Sequence, residues 1–357
     1  MRTDLTLQDM AAKIHQDHFQ KHDYRADSRH LSMLESLEPT PTSLLKIDGI
    51  EGHFDINNHC WHQMRDLADI PAPYFNRLRT NHPTLLRENF NHLMLNEPSK
   101  VRLIRTLDGT ARACLGGGYR TDMDNYDITN AVMPILSSVK NLEVKSCSIT
   151  ESHMYIKALF PRLRQDVKVG DPVEGGIVIS NSEVGSGAVR VEPFLFRLIC
   201  LNGMVRGVSM RKYHSGARVK GNEEAAEIFS DRTRRLTNEA LKAQIQDMVV
   251  AATDEAKFAE SIEGLRRAAD PATNIEKNPV AAVEVVRDRL QMTQDEGQDL
   301  LRYLIEGGDL SQYGVAQAVT RAAGNCASYD RATELERAGG VVIDLPKQEW
   351  AIIQEAA

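Results

Sequence analysis

The stretch Gly187–Lys220 reads GAVRVEPFLFRLICLNGMVRGVSMRKYHSGARVK and concentrates positive charge. Seven lysines and arginines stand there against one acidic residue. The local net charge is +6 in a chain of 357 residues whose formal net charge is −7. Ala188–Val191 alternates apolar and polar residues, which is typical of a short strand. The stretch therefore predicts either a core β-α-β unit with arginines at its edges or an anion-binding face.

The same stretch carries signals for a helix between two strands. Proline is tolerated at the first helical position, so Glu192-Pro193 predicts the start of a helix. Apolar residues at three- and four-residue spacing then continue it over Phe194–Leu201. Asn202-Gly203 is a natural helix end. Met204–Met210 is predicted to be a second strand that leads into a basic tip.

A second basic segment lies earlier in the chain, at Ser99–Arg120. Five lysines and arginines stand there against Asp108 alone, a local net charge of +4, so the rest of the chain carries −17. Alternating residues flank Asp108-Gly109, a strong signal for a β-hairpin turn. Because both basic segments are predicted strands, we expect them to lie side by side in one sheet. Positive charge is therefore segregated despite the acidic total.

The order of predicted elements indicates an α+β protein. Residues 1–42 are predicted to form an N-terminal helix, over Leu5–Gln20, and a polar mobile arm. Residues 43–220 are predicted to form an antiparallel sheet with packed helices. Residues 221–357 are predicted to be mostly helical, with one long helix over Thr233–Ala269.

Composition excludes several classes of protein. The chain is 42% hydrophobic and 26% charged, as in soluble globular proteins. No apolar run is long enough to span a membrane, and the N-terminus lacks the apolar core of a signal peptide. The five cysteines lie far apart and form no CxxC pair. These features predict reduced thiols and a cytoplasmic protein with no membrane partner.

Several short motifs together resemble a known family. They are Ile70-Pro71-Ala72-Pro73-Tyr74-Phe75, Glu88-Asn89-Phe90-Asn91, Gly118-Tyr119-Arg120 with Asp124-Asn125, Cys200-Leu201-Asn202-Gly203 and Gln317-Ala318-Val319-Thr320. In these motifs, over about residues 43–340, the chain resembles the phage/plasmid-like family called domain of unknown function 932. Members more often carry a serine-acid pair where this chain has Gly117-Gly118. The resemblance implies a mobile-element setting and no established activity.

A weaker similarity in outline connects the chain to ring-forming single-strand annealing proteins. Those proteins place a β-hairpin and a helix around a basic groove that grips the nucleic-acid backbone. The resemblance implies single-stranded DNA binding or annealing in recombination or repair, and self-association as a homo-oligomer or ring. It rests on fold outline alone. RNA remains open as the ligand.

The predicted nucleic-acid contacts combine phosphate-binding cations with interleaved tyrosines. Arginine donates paired hydrogen bonds to phosphate, and tyrosine stacks on bases. Either tyrosine could equally be a half-buried strand residue. The predicted binding residues are Arg102, Arg105, Arg112, Tyr119, Arg120, Arg190, Arg206, Arg211, Lys212, Tyr213, His214 and Arg218.

An enzyme and a protein-binding anti-defence factor are the alternatives. Asp122, Asp124, Asp127 and His214 are candidates for metal or general-base work, although Asp124 stands where a helix N-cap belongs. Cys200 with His214 could form a nucleophile and its base, but it lies in an apolar segment. His59 and His62 could share a helix face, yet a second pair of zinc ligands is absent. We therefore predict no metal site and no cofactor, and the balance is against an enzyme.

Overall fold

The structure, a computed structural model, describes residues 5–35, 43–119, 121, 123–207, 210–213, 230–275 and 277–356. Its elements in chain order are α1 (Leu7–Gln20), β1 (His22–Asp27), β2 (Leu31–Glu35), β3 (Ser43–Ile47), β4 (Asp55–Ile56), α2 (Asn58–Leu67), α3 (Ala72–Asn81), α4 (Pro83–Asn96), β5 (Val101–Leu107), β6 (Thr110–Gly116), α5 (Asn125–Ser138), β7 (Glu143–Ile149), β8 (Met154–Asp166), β9 (Pro172–Asn181), β10 (Val189–Arg197), β11 (Asn202–Val205), β12 (Met210–Lys212), α6 (Asp231–Ala252), α7 (Glu255–Ala268), α8 (Pro279–Arg289), α9 (Gln294–Gly307), α10 (Gln312–Ala322), α11 (Tyr329–Ile343) and α12 (Lys347–Ala356). Antiparallel strands precede a helical C-terminal part, which confirms the predicted α+β class.

A four-stranded sheet has the order β1-β5-β6-β4, with β4 parallel to β6. Its predicted hairpin is confirmed: Asp108 and Gly109 both adopt positive φ, at 49° and 73°, as a tight two-residue turn requires. Part of the segment predicted to be a mobile arm is this sheet's edge strand. β1 pairs with β5 from His22 opposite Thr106 to Asp27 opposite Val101. Edge strands carry polar residues, so the sequence of β1 is as polar as that of a mobile arm.

A six-stranded antiparallel sheet has the order β11-β10-β9-β8-β7, and β12 also pairs with β10. The two basic segments therefore lie in different sheets, and the prediction that they share one sheet was wrong. β12 and β11 occupy successive halves of the same edge of β10. Ser180 on β9 is opposite both Arg190 on β10 and Tyr155 on β8, so these three side chains share one face.

The predicted helix over Phe194–Leu201 is instead strand β10 and the turn after it. The apolar spacing misled because this strand is buried on both faces, so its residues show no clean alternation. Pro193 fits the strand because it lies between the residues that pair with β12 and those that pair with β11. The predicted strand Met204–Met210 corresponds to the separate strands β11 and β12; Val208 and Ser209 lie outside the described residues.

One hydrophobic core joins the larger sheet to the C-terminal helices. It extends from Met10 on α1 through β8, β9 and β10 to Ile353 on α12. The predicted single helix over Thr233–Ala269 is two helices, because Asp254 ends the first segment and caps α7 through the backbone N–H of Lys257. In the described ranges, no helix is long and apolar enough to cross a membrane.

Helix α11 lies across the polar part of the larger sheet. Tyr329 exchanges a 2.5 Å hydrogen bond with Ser146 on β7, and Glu336 forms an ion pair at 2.6 Å with Lys157 on β8. The next residue, Arg337, reaches Glu192 on β10. These contacts fix the helix against the face that carries Ser180 and Arg190.

Candidate functional site

Two arginines stand directly opposite each other on neighbouring strands of the larger sheet. Arg190 on β10 and Arg211 on β12 are register partners. Arg337 of α11 reaches the same place. Together with Tyr213 these arginines line a polar cleft of about 320 Å³, which we call the arginine cleft. Like charges directly opposite in an antiparallel pair destabilise the sheet. The folded protein therefore keeps these two arginines opposite each other although their repulsion destabilises the sheet.

Acidic side chains accompany the arginines of the cleft, and Asp330 and Glu334 line it. Glu192 accepts three hydrogen bonds from Arg337, at 3.1, 2.9 and 2.6 Å, and lies 3.7 Å from Arg190. Burial and the positive charges of Arg337 and Arg211 lower the pKa of Arg190 from its ordinary value. Within the described part of the chain, Arg211 forms no ion pair. An anion in the cleft would relieve this repulsion.

The outer side of the arginine cleft presents an aromatic ring. Tyr213 is 52% exposed, and the Arg211 guanidinium lies 4.7 Å from the centre of its ring. This contact holds the guanidinium without using its hydrogen-bond donors. A planar group that enters the cleft could therefore contact the Tyr213 ring and the Arg211 guanidinium at the same time.

A short loop borders the arginine cleft on its inner side. We call residues 182–187 the serine-glycine loop. Its backbone carbonyls accept hydrogen bonds from separate elements: that of Ser182 from Tyr119 (3.0 Å), and that of Val184 from Gln63 (2.7 Å) and from His59 of α2 (2.9 Å). Such anchoring leaves the loop little freedom to move. His59 thus serves the loop, where the sequence suggested a possible zinc ligand.

A buried network of ion pairs and hydrogen bonds also anchors the serine-glycine loop. The guanidinium of Arg105 is fully buried and donates to Asp23 (2.7 and 2.8 Å), Asp124 (2.7 Å) and the backbone carbonyl of Glu183 (2.7 Å). Lys21 also donates to Asp124. With no exposed surface, Arg105 cannot reach a ligand in solution, so its prediction as a nucleic-acid contact is corrected to a structural role.

Helix α5 begins beside this network in an unexpected way. Asp124 occupies the predicted N-cap position, but its carboxylate makes no capping hydrogen bond because Arg105 and Lys21 engage it. The carboxylate of Glu183 instead accepts the backbone N–H of Asn125 at 3.2 Å. A loop residue therefore supplies the anion that the helix N-terminus favours. This contact ties the loop to α5.

The remaining predicted binding residues are dispersed. Arg112 forms an ion pair with Glu183 at 3.2 Å, and half-buried Arg102 lies on the hairpin. Arg206 pairs with Asp344 beside a separate, more apolar cavity. Lys212 is exposed on β12 beside the arginine cleft, and half-buried Tyr119 is committed to the serine-glycine loop. The predicted residues Arg120, His214 and Arg218 lie outside the described residues.

Among the described residues, the alternative catalytic candidates contact arginine or lysine side chains. Cys200 accepts a 3.5 Å contact from Arg197, and Asp127 is 3.7 Å from Lys242. Asp122, like His214, is not among the described residues. Over the described ranges, no group of three or more histidines, cysteines and acids is placed to hold a metal ion.

Sequence reasoning missed the charged or titratable cleft residues Arg337, His153, Asp330 and Glu334. Each lies outside both basic segments, and Asp330 and Arg337 belong to a helix more than a hundred residues downstream. The signal that could have found the helix residues is the charged stripe Asp330, Glu334 and Arg337, whose spacing of four and three residues places them on one face of α11. His153, between two predicted strands, carried no comparable signal.

Comparison with known proteins identifies the family. The model described as "Domain of unknown function (DUF932)" matches residues 131–336, more than half of the chain. The chain therefore belongs to this family. The match runs from α5 into α11 and includes Arg190, Arg211 and Asp330. No curated protein and no solved structure matches the chain. The mobile-element setting and the similarity to annealing proteins stay predictions.

Proposed function

We propose that this protein binds single-stranded nucleic acid, with a phosphate held in the arginine cleft and a base stacked on Tyr213. The observation that carries the proposal is the direct opposition of Arg190 and Arg211, with Arg337 reaching the same cleft. Three guanidinium groups converging on a polar cleft suit an anion with several acceptor oxygens. A bound phosphate would offset the repulsion that lowers the pKa of Arg190.

The size and surroundings of the arginine cleft favour a single strand over a duplex. A cavity of about 320 Å³ is at the lower end of ligand-site volumes, so we expect it to hold about one nucleotide. A base is free to stack on Tyr213 only where it is unpaired. Contacts to phosphate carry no sequence information, so we expect little sequence preference. DNA in recombination or repair, including strand annealing, remains the expected setting.

The proposal is narrower than the surface expected from the sequence. Arg105 and Arg112 are engaged by Asp23, Asp124 and Glu183, and Arg206 is engaged by Asp344. The proposed contacts are therefore Arg190, Arg211, Lys212 and Tyr213, and Arg337, which Glu192 engages, adds its charge to the cleft. Neither a metal-dependent enzyme nor a protein-binding anti-defence factor is favoured by a specific contact among the described residues.

Fluorescence anisotropy with a labelled single-stranded oligonucleotide tests the proposal. Arg190→Gln and Arg211→Gln should each weaken binding about 10- to 100-fold, because a charge-assisted hydrogen bond contributes about 1.5–3 kcal/mol. Arg77→Gln is the matched control, since exposed Arg77 lies over the exposed ring of Tyr74, at 5.4 Å, outside the cleft. Equal affinities for wild type and both cleft variants would refute the proposal.

Self-association as a closed homo-oligomer or ring is a separate proposal. It is supported by the segregation of charge, +6 and +4 against −17, which suits contacts between copies. Static light scattering at micromolar concentration tests it. A mass near 39.9 kDa would contradict the ring.

A further inference from the structure

A histidine with a fixed orientation borders the arginine cleft. His153 lies in the turn between β7 and β8 and lines the cleft beside Arg190. Its Nδ1 is 3.0 Å from the hydroxyl of Ser152 and 3.6 Å from a carboxylate oxygen of Asp330. The ring stacks on Tyr155, with 5.5 Å between ring centres. These contacts fix both the plane of the imidazole and the direction of Nδ1.

Asp330 is held as an ionised acceptor. It accepts hydrogen bonds from Ser152 and from Thr150, the latter at 3.1 and 3.2 Å. Burial opposes its ionisation, but hydrogen bonds from His153 and Ser152 outweigh it and lower the pKa of Asp330 to about 2. A carboxylate facing Nδ1 favours the tautomer with the proton there. Nε2 of His153 then carries the lone pair.

The serine-glycine loop passes close to that Nε2. A Cβ placed on Gly187 would stand 2.6 Å from Nε2, closer than side chains allow. Any other residue at this position would press on the nitrogen or displace the ring. Gly187 also lines the arginine cleft. Glycine therefore lets the loop pass beside Nε2, and His153 lines the same cleft as the three arginines.

We propose that the arginine cleft hydrolyses a phosphate monoester at the end of a nucleic-acid strand, with His153 as the catalytic nucleophile and Asp330 as its positioning residue. An imidazole lone pair is an established nucleophile, and a carboxylate that orients the ring is its usual partner. The inference rests on the proposed function, because the same arginines must first bind phosphate. A cleft for about one nucleotide suits a strand end.

The reaction balances without a further reactant besides water. In the first step a bond forms between Nε2 and phosphorus and the ester P–O bond breaks. The departing oxygen keeps the bonding pair and takes a proton from water. In the second step the resulting hydroxide attacks phosphorus, the N–P bond breaks and its electron pair returns to Nε2. Ester and water become alcohol and hydrogen phosphate. Arg190, Arg211 and Arg337 would stabilise the charge on the phosphoryl oxygens.

Radiolabelled phosphate provides the test. A single-stranded oligonucleotide carrying ³²P at its 5′ end is mixed with the full chain, and released phosphate and protein-bound label are measured. We expect turnover, and label that survives alkali but not acid, as a phosphohistidine does. His153→Asn keeps an amide near the position of Nδ1 but removes Nε2. It should lower turnover at least about 100-fold and abolish labelling. His53→Asn, at an exposed histidine elsewhere, should change neither.

Two further measurements separate this inference from the proposed function. In His153→Asn, turnover should fall far more than oligonucleotide affinity, which should change by less than about 10-fold, whereas a merely structural role would lower both together. Hydrolysis of p-nitrophenyl phosphate reports the chemistry without a strand: activity there without oligonucleotide binding would refute the proposed function alone. Binding without turnover or label in wild type, or equal turnover in wild type and His153→Asn, would overturn the inference.

Discussion

Replacing the buried Arg105 by Met should strongly destabilise the fold. The methionine keeps most of the apolar volume but removes four hydrogen bonds, two to Asp23 and one each to Asp124 and the backbone of Glu183. Asp23 is 24% exposed in its side chain and can rehydrate, whereas Asp124 is 3% exposed and cannot. Removing one partner of a buried ion pair costs about 3–5 kcal/mol. We expect a loss in this range.

Urea unfolding followed by circular dichroism measures the loss. Arg164→Met is the control, because that side chain is 56% exposed and its nearest acid, Glu174, is 3.8 Å away. Such a surface pair contributes about 0–1 kcal/mol. Asp124→Asn in the Arg105→Met background should recover part of the loss, since Lys21 alone then remains to compensate the buried Asp124 charge. A loss below about 1 kcal/mol for Arg105→Met would refute the assignment of this network as a structural anchor.

Further predictions concern the same network and the serine-glycine loop. Burial, with repulsion from Glu183, raises the pKa of Asp124 to about 6, so the folded state holds a proton that the unfolded chain releases near pH 4. The contribution of Asp124 to stability should therefore fall as pH rises from about 4 to 6, so the difference in stability between wild type and Asp124→Asn should change over this range, as urea titrations at several pH values would detect. Gly185→Ala should cost more than about 1 kcal/mol and lower the thermal midpoint, because φ is +83° and the new Cβ would lie 2.5 Å from Leu115. An unchanged midpoint would contradict this strain. His59→Ala should weaken oligonucleotide binding a few-fold by loosening the loop, with anisotropy as the readout and His53→Ala as the control.

Local signals in the sequence predict much of the fold. The Asp108-Gly109 turn and its flanking strands follow from short-range conformational preferences, and so does most of the helical C-terminal part. β10 was misassigned because a strand buried on both faces has the same composition as a buried helix. Only pairing with β9, β11 and β12 decides between them, and pairing is a property of the folded chain.

Charge density in the sequence located part of the candidate site and could not complete it. Arg190 and Arg211 belong to the basic stretch and meet in the structure. Arg105 also lies in a basic segment. Its side chain is buried, however, because Asp23, 82 residues away in the sequence, forms an ion pair with it. Arg337 joins the cleft from a distant helix. Which cations are available to a ligand depends on their exposure and on partners distant in the sequence. Composition does not encode either property.

The dependence of oligonucleotide affinity on salt tests the central claim most directly. A contact between a cation and a phosphate releases counterions, so the logarithm of the affinity falls linearly with the logarithm of salt concentration. For single strands each lost contact should make the slope shallower by about 0.7. We predict this change for Arg211→Gln and the wild-type slope for Arg77→Gln. Parallel lines for wild type and Arg211→Gln would contradict a phosphate in the arginine cleft.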